Sequence, residues 1–115
     1  MKPAALLVHV INVDAALVWY QKAFPDATLY KIENTEQHQL QPGNFCIEIV
    51  QSDTKVSSGK SGTVLYWLVP DLNSAVSNLT SLGAKLYRGP MKIENDLSMC
   101  QLEDSFGNLI GLRGK

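Results

Sequence analysis

The sequence has few cysteines and almost no net charge, and both features exclude classes of function. Cys46 and Cys100 are its two cysteines, and they do not form a Cys-x-x-Cys pair, so no zinc-finger or dithiol redox motif is present. Lys and Arg number 10 and Asp and Glu number 11. A chain without basic excess does not attract nucleic acid or anionic membranes through its overall charge. We expect a cytoplasmic protein with reduced, buried thiols.

Long apolar runs and phosphate-binding motifs are also missing. The N-terminal apolar run meets Asp14 well before it reaches the ~20 residues of a membrane span, so it predicts neither a span nor a signal peptide. Gly59-Lys60-Ser61 resembles the end of a phosphate loop, but no upstream glycine and no following helix pattern support that interpretation. Apolar residues make up 45% and charged residues 18% of the chain, which is typical of a globular domain.

An internal repeat organises the sequence. Apolar residues alternate over Leu6–Val10 and over Leu65–Val69, which predicts a strand at the start of each half. A helical stripe follows each strand, and a shift of 59 residues aligns the two stripes. The aligned pairs are Asn12 with Asp71 as N-caps, Val13 with Leu72, Ala16 with Ala75, Leu17 with Val76, and Tyr20 with Leu79. Pro25 ends the first helix and Gly83 the second.

Three further strands are predicted in each half. The segments with strand character are Ala27–Lys31, Gln37–Gln41 and Phe45–Val50 in the first half, and Ala84–Arg88, Leu97–Glu103 and Leu109–Arg113 in the second. Residues 51–62 are rich in Ser, Gly and Lys and predict a linker. The chain is therefore interpreted as one domain of residues 1–115, with one βαβββ module in residues 1–50 and another in 63–115.

The second half carries the most specific motif. Gly89-Pro90 is followed by Asp104-Ser105-Phe106-Gly107-Asn108 and an apolar strand. Together with the two modules, this pattern resembles the vicinal oxygen chelate superfamily, which includes glyoxalase I, extradiol dioxygenases, and fosfomycin- and bleomycin-resistance proteins. Ser105 replaces the proline that is usual in that hairpin. The resemblance implies an α+β fold whose two βαβββ modules curve around a cavity.

The metal site implied by the resemblance is largely missing. The metal-dependent members place a ligand at the start of each module and another in its last strand. The corresponding positions here are Ala5, Glu48, Val64 and Gly111, and only Glu48 offers a ligand. One carboxylate does not hold a catalytic ion, because three or four protein ligands are normally needed. We therefore expect no metal cofactor and favour binding over catalysis.

A shifted ligand set is the alternative. His9 follows Ala5 on the same face of the first strand, and the Pro42-Gly43 turn brings His38 opposite Glu48 within about a residue. His9, His38 and Glu48 would then form a two-histidine, one-carboxylate site for iron or a similar ion. The competing interpretation places His9 in a wall or core and His38 at the surface.

The cavity is expected to be apolar with a few polar groups. Alternation places Ala5 and Gly111 in its wall, and their small size is expected to leave volume where the resemblance implies metal ligands. The candidate ligand-binding residues are His9, Glu48, Tyr66, Met99, Gln101 and Arg113. The alternative is an ordinary core in which Tyr66 and Gln101 satisfy each other.

These observations predict a metal-free protein, similar to bleomycin-resistance proteins, that sequesters a hydrophobic or aromatic small molecule as a homodimer. Two alternatives stay open: a divalent-metal-dependent lyase, isomerase or dioxygenase of the same superfamily, and a dimeric interaction protein without a small ligand. No catalytic residue is predicted.

Overall fold

The computed structural model describes residues 1–31 and 38–115, with side chains for all of these except Lys31 and His38. The described chain forms two compact units, Met1–Ser58 (unit 1) and Gly59–Lys115 (unit 2). The boundary between the units lies inside residues 51–62, the segment predicted as the linker.

Unit 1 consists of one helix and a four-stranded sheet. Its elements in chain order are β1 (Leu6–Val10), α1 (Val13–Ala23), β2 (Thr28–Lys31), β3 (His38–Gln41) and β4 (Ile47–Gln51). The strand order in the sheet is β1-β4-β3-β2. β1 and β4 are parallel, whereas the other neighbouring strands are antiparallel. A parallel pair needs a crossover, and α1 with β2 and β3 supplies it.

The helix of unit 1 forms where the sequence pattern predicts it. The side chain of Asn12 accepts a hydrogen bond of 3.0 Å from the backbone N–H of Ala15, which caps the first turn. The helix ends at Ala23, just before Pro25. Its apolar stripe packs on the sheet, where Ile47 and Ile49 of β4 are almost completely buried.

Unit 2 repeats this architecture. Its elements are β5 (Tyr66–Val69), α2 (Leu72–Ser81), β6 (Lys85–Lys92), β7 (Ser98–Glu103) and β8 (Leu109–Gly114). The strand order is β5-β8-β7-β6, again with a parallel first pair and antiparallel neighbours. Equivalent elements therefore occupy equivalent positions in the two sheets, and the predicted α+β fold with two βαβββ modules is confirmed.

The second helix is also capped and stopped by the residues that the repeat aligns. The carboxylate of Asp71 accepts a hydrogen bond of 2.9 Å from the N–H of Ser74. Gly83 follows the helix with a φ of 103°, a conformation that residues with a Cβ rarely adopt. Leu72 and Leu79 bury their side chains on the helix face of the sheet, as Leu102 and Leu112 do from β7 and β8.

One strand is longer than the sequence predicts. The alternation predicts a strand that ends at Arg88, but β6 continues through Gly89-Pro90 to Lys92. The register of β6 against β7 shifts between Arg88 and Met91, so the proline lies in an irregular part of an edge strand. An edge strand tolerates proline because the missing N–H is not needed for pairing on its outer side. The predicted start of the third strand at Gln37 lies outside the described residues.

Each sheet presents a helix-distal face, which we define by the side chains that alternate with those packed on the helix. In unit 1 this face carries Leu7, His9, Gln39, Glu48 and Val50. In unit 2 it carries Tyr66, Leu68, Met99, Gln101, Gly111 and Arg113. Within the described residues, neither helix has the length and apolar content to cross a membrane.

Candidate functional site

Glu48 lies in the middle of the helix-distal face of unit 1. Its neighbour on β1 is Leu7, and its neighbour on β3 is Gln39. His9 pairs with Val50, so His9 and Glu48 are diagonal neighbours on two adjacent strands. The two predicted site residues of this unit therefore share one face, as the alternation predicts.

Cys46 forms a hydrogen bond with Gln39, the β3 neighbour of Glu48, and the sequence does not predict this contact. Its thiol donates to the Oε1 atom of Gln39 at 2.9 Å. Partial burial raises the pKa of Cys46, and the negative charge of Glu48 raises it further. The pKa of Cys100 is raised by burial as well. Neither thiol has the lowered pKa of a nucleophilic cysteine.

The register of β3 bears on the shifted metal site. Gln39 holds the position opposite Glu48, whereas the backbone of His38 pairs with Lys31. Side chains alternate between the two faces of a sheet, so a register difference of one residue matters. The β3 neighbour of Glu48 is the amide of Gln39, whereas the shifted metal site needs an imidazole at that position. Among the residues whose side chains are described, no group of three His, Cys, Asp or Glu residues could hold a metal ion.

Asp53 lies in a turn after β4. Two backbone hydrogen bonds to its carboxylate lower the pKa of Asp53, and nearby His9 contributes a smaller effect in the same direction. The N–H of Val56 donates at 2.7 Å and the N–H of Lys55 at 2.9 Å. Asp53 therefore organises the start of the segment that follows β4.

Four predicted site residues lie together on the helix-distal face of unit 2. Tyr66 pairs with Gly111 and Gly111 with Gln101, which forms one row across β5, β8 and β7. Arg113 lies in the next row and pairs with Met99. The antiparallel pairing of β7 and β8 therefore brings these side chains together on one face.

Tyr66 forms the centre of this group. Its ring lies across Gly111, and the Nε2 atom of Gln101 donates a hydrogen bond of 2.8 Å to its hydroxyl oxygen. The guanidinium carbon of Arg113 is 4.8 Å from the centre of the ring. That distance is within the range of a cation–π contact. The polar groups of the face are thus ordered around one aromatic ring.

The prediction that Gly111 leaves empty volume is wrong. A Cβ atom built on Gly111 would lie 2.6 Å from Cγ and 2.7 Å from Cδ1 of Tyr66, so the ring already fills the space above the glycine. The sequence gives the residue type at each position but not the direction in which a tyrosine ring folds over a neighbouring strand. Because Gly111 has no side chain, the ring of Tyr66 can pack directly on its backbone, and no void remains there.

Two further polar interactions of unit 2 were not expected from the sequence. Lys60 forms an ion pair of 3.2 Å with Glu103, and its Nζ atom is 6.0 Å from the centre of the Tyr87 ring. The side chain of Asn108 accepts a hydrogen bond of 3.0 Å from the N–H of Gly59. These contacts hold Gly59 and Lys60 against the rest of unit 2, so this segment has a structural role.

Comparisons with known proteins identify the fold. No family model and no curated protein matches the sequence. A glyoxalase/bleomycin resistance protein/dioxygenase family enzyme from Burkholderia phytofirmans PsJN superposes with a TM-score of 0.78 at 17% identity, over 96% of this chain and 95% of that chain. A glyoxalase family protein from Bacillus cereus gives 0.76 at 20% identity, over 99% and 93%. The fosfomycin resistance protein FosX from Listeria monocytogenes gives 0.75 at 11% identity, over 100% and 91%.

The chain therefore has the fold of these glyoxalase/bleomycin resistance and fosfomycin resistance proteins. Identities of 11–20% establish this likeness for the fold alone and transfer no activity.

The residues of this chain do not fit the divalent ion that the resemblance implies. Ala5 and Val64 precede β1 and β5 and have no ligand atom. Gly111 lies under the ring of Tyr66, so that the space for a longer side chain there is taken. Glu48 is the one carboxylate at the four positions, and three ligands are needed.

Proposed function

We propose that this protein is a metal-free binding protein for a planar hydrophobic or aromatic small molecule. One observation carries the proposal: the ring of Tyr66 occupies the space above Gly111. Gly111 is one of the four positions at which the resemblance implies a metal ligand. An aromatic ring at the centre of the helix-distal face offers a flat apolar surface to a planar ligand.

Exposed apolar side chains support this proposal. On the helix-distal face of unit 2, Leu68 is 77% exposed, and on that of unit 1, Leu7 is 47% exposed. Ile11, just beyond β1, is 79% exposed. Large apolar side chains that are exposed beside polar groups mark surfaces that bind ligands or partners.

Polar groups accompany the apolar side chains on each helix-distal face. Glu48 and His9 in unit 1 offer a carboxylate and an imidazole, and Gln101 and Arg113 in unit 2 offer an amide and a guanidinium. A few polar groups on an apolar background are the usual composition of a small-molecule site. In the proposed function the polar groups of a helix-distal face orient a ligand that binds on that same face, in a protein that acts in the cytoplasm.

The proposed function has a direct test in the binding of the neutral fluorescent probe N-phenyl-1-naphthylamine. We expect saturable binding by the full chain, together with a rise in Tm as the probe concentration exceeds Kd. Leu68→Ser should weaken this binding, because it replaces an exposed apolar contact by a hydroxyl. Val56→Ser changes another exposed apolar residue, in the segment after β4, and should have no effect. Absence of saturable binding of both N-phenyl-1-naphthylamine and 2-naphthoate to the wild-type chain would overturn the proposal.

A homodimer is the second candidate function, in which the interface itself is the purpose and no small ligand binds. The exposed apolar side chains of Ile11 and Leu68 favour it as well, because a second copy would remove them from water. Sedimentation equilibrium at micromolar concentrations tests the assembly. A dimer that Leu68→Asp dissociates, combined with no binding of the probe, would support the interface role. A monomer at all concentrations would exclude it.

A further inference from the structure

Arg113 is an exposed cation among apolar neighbours. It lies on β8, and its cross-strand neighbours are Leu68 on β5 and Met99 on β7. Its guanidinium carbon is 4.8 Å from the centre of the Tyr66 ring. This cation–π contact holds the guanidinium beside the ring, and the Arg113 side chain is exposed to solvent.

The charge of Arg113 is not compensated within the described residues. No carboxylate of residues 1–31 and 38–115 forms an ion pair with it. Glu103 is the acidic residue of β7, and it pairs with Lys60 at 3.2 Å. The guanidinium therefore retains its donors for a ligand, and a guanidinium presents them in a planar fork.

The hydroxyl of Tyr66 adds a second donor. Its oxygen accepts the hydrogen bond from Nε2 of Gln101, and among the described residues no acceptor for its own proton is found. A hydroxyl group has one proton to donate in addition to the lone pairs with which it accepts. The face thus combines a planar cation, a phenolic O–H and the apolar side chains of Leu68 and Met99.

We propose that the ligand of this face is an aromatic carboxylic acid. Its carboxylate accepts hydrogen bonds from the edge of the Arg113 guanidinium, and the Tyr66 hydroxyl supplies a further donor. Its apolar ring lies along Leu68 and Met99. A carboxylate matches the guanidinium fork with two parallel hydrogen bonds, and a neutral aromatic molecule leaves the cation unpaired. This inference rests on the proposed function, because it names the class of ligand that the helix-distal face of unit 2 binds.

Two probes with the same ring system separate the charge from the apolar contact. They are 2-naphthoate and the uncharged 2-naphthalenemethanol, each titrated into the full chain by calorimetry. We expect 2-naphthoate to bind about tenfold more tightly, the ratio that corresponds to one charge-assisted hydrogen-bonded pair. The preference should decrease as NaCl is added, because the charge on Arg113 is exposed and is screened by salt.

Three variants test whether Arg113 causes the preference for 2-naphthoate. Arg113→Met keeps an unbranched apolar stem, and it should reduce the affinity for 2-naphthoate to that for 2-naphthalenemethanol. Arg113→Lys keeps the charge without the fork, so it should retain only part of the preference. Lys85→Met removes an exposed charge from the edge strand of the same sheet and should leave the preference unchanged.

The outcomes distinguish this inference from the function on which it rests. Equal binding of both probes to the wild-type chain, or a preference that survives in Arg113→Met, would overturn the carboxylate assignment and leave the binding function intact. Binding of neither naphthalene probe, nor of N-phenyl-1-naphthylamine, would overturn the proposed function and the inference together.

Discussion

The ring of Tyr66 and the α-carbon of Gly111 are in such close contact that residue 111 has room only for a hydrogen atom as its side chain. A Cβ atom on Gly111 would lie 2.6 to 2.7 Å from three carbon atoms of the ring. The ring in turn accepts a hydrogen bond from Gln101 at its hydroxyl and contacts the guanidinium of Arg113. The residue at position 111 therefore determines how the polar groups of this face are arranged.

Gly111→Ala should displace the Tyr66 ring and break its hydrogen bond with Gln101. We expect a loss of about 1–3 kcal/mol in the free energy of unfolding, measured by urea denaturation, because extra atoms in a filled space force neighbouring groups to move. Gly59→Ala is the matched control, since no atom lies within 4 Å of a Cβ there and the backbone N–H that donates to Asn108 is retained. In the background of Tyr66→Ala the same glycine substitution should cost much less. An equal cost in both backgrounds would show that the ring is not the obstacle.

Asp104→Ala should destabilise the turn between β7 and β8. The carboxylate of Asp104 is buried and accepts hydrogen bonds of 2.8 Å and 2.9 Å from the N–H groups of Phe106 and Asn108. Removal of the acceptor leaves buried donors unpaired, and we expect a loss of about 1–3 kcal/mol in unfolding free energy. Asp104→Asn retains one carbonyl oxygen and should cost less. If both variants unfold at the same urea concentration as the wild-type chain, the carboxylate does not hold the turn.

The two helix caps should contribute equally. Asn12 and Asp71 occupy repeated positions, and each accepts a hydrogen bond from the third residue after it. We expect Asn12→Ala and Asp71→Ala each to lower the unfolding free energy by about 1 kcal/mol. Asn73→Ala changes an exposed residue of α2 that does not cap the helix, and it should be nearly neutral or stabilising. A cost at Asn73 equal to that at Asp71 would contradict the capping role.

Acid should loosen the turn at Asp53. The N–H groups of Val56 and Lys55 hold the pKa of this carboxyl below its usual value, and His9 adds a smaller effect in the same direction. A lowered folded-state pKa stabilises the native state at pH values above the unfolded pKa, and this stabilisation is lost as the pH falls through the folded pKa. NMR titration of the side-chain carboxyl should give a pKa below the ordinary value of an aspartate side chain. A pKa at or above this value would contradict the assigned hydrogen bonds.

The fold was predictable because its signals are local. Asn12 and Asp71 cap both predicted helices, and apolar alternation marks the first strand of each half. Two repeated modules reinforced each other, since each strand, cap and stripe was found twice. The extension of β6 through Pro90 was not predictable, because an edge strand tolerates a residue that a central strand excludes.

The candidate site was predictable only in part, because side-chain direction and register are not local. The sequence places Tyr66 and Gln101 near each other, but the position of the ring on Gly111 depends on a torsion angle and on a neighbouring strand. The pairing of β3 with β4 was predicted within one residue. That single residue gives Glu48 a neighbour in Gln39 and not in His38. An error of one residue in the register assigns the wrong side chain to a face, because successive side chains alternate between the two faces of a sheet.

The central claim is that this fold binds its ligand without a metal ion, and metal analysis tests it most directly. Purified full-length chain is equilibrated with Ni²⁺, Zn²⁺, Mn²⁺ and Fe²⁺ in turn, dialysed, and measured by elemental analysis, with Glu48→Ala in parallel. We predict substoichiometric metal in every sample and no difference between the wild-type chain and Glu48→Ala. One equivalent of a divalent ion in the wild-type chain that is lost in Glu48→Ala would contradict the account.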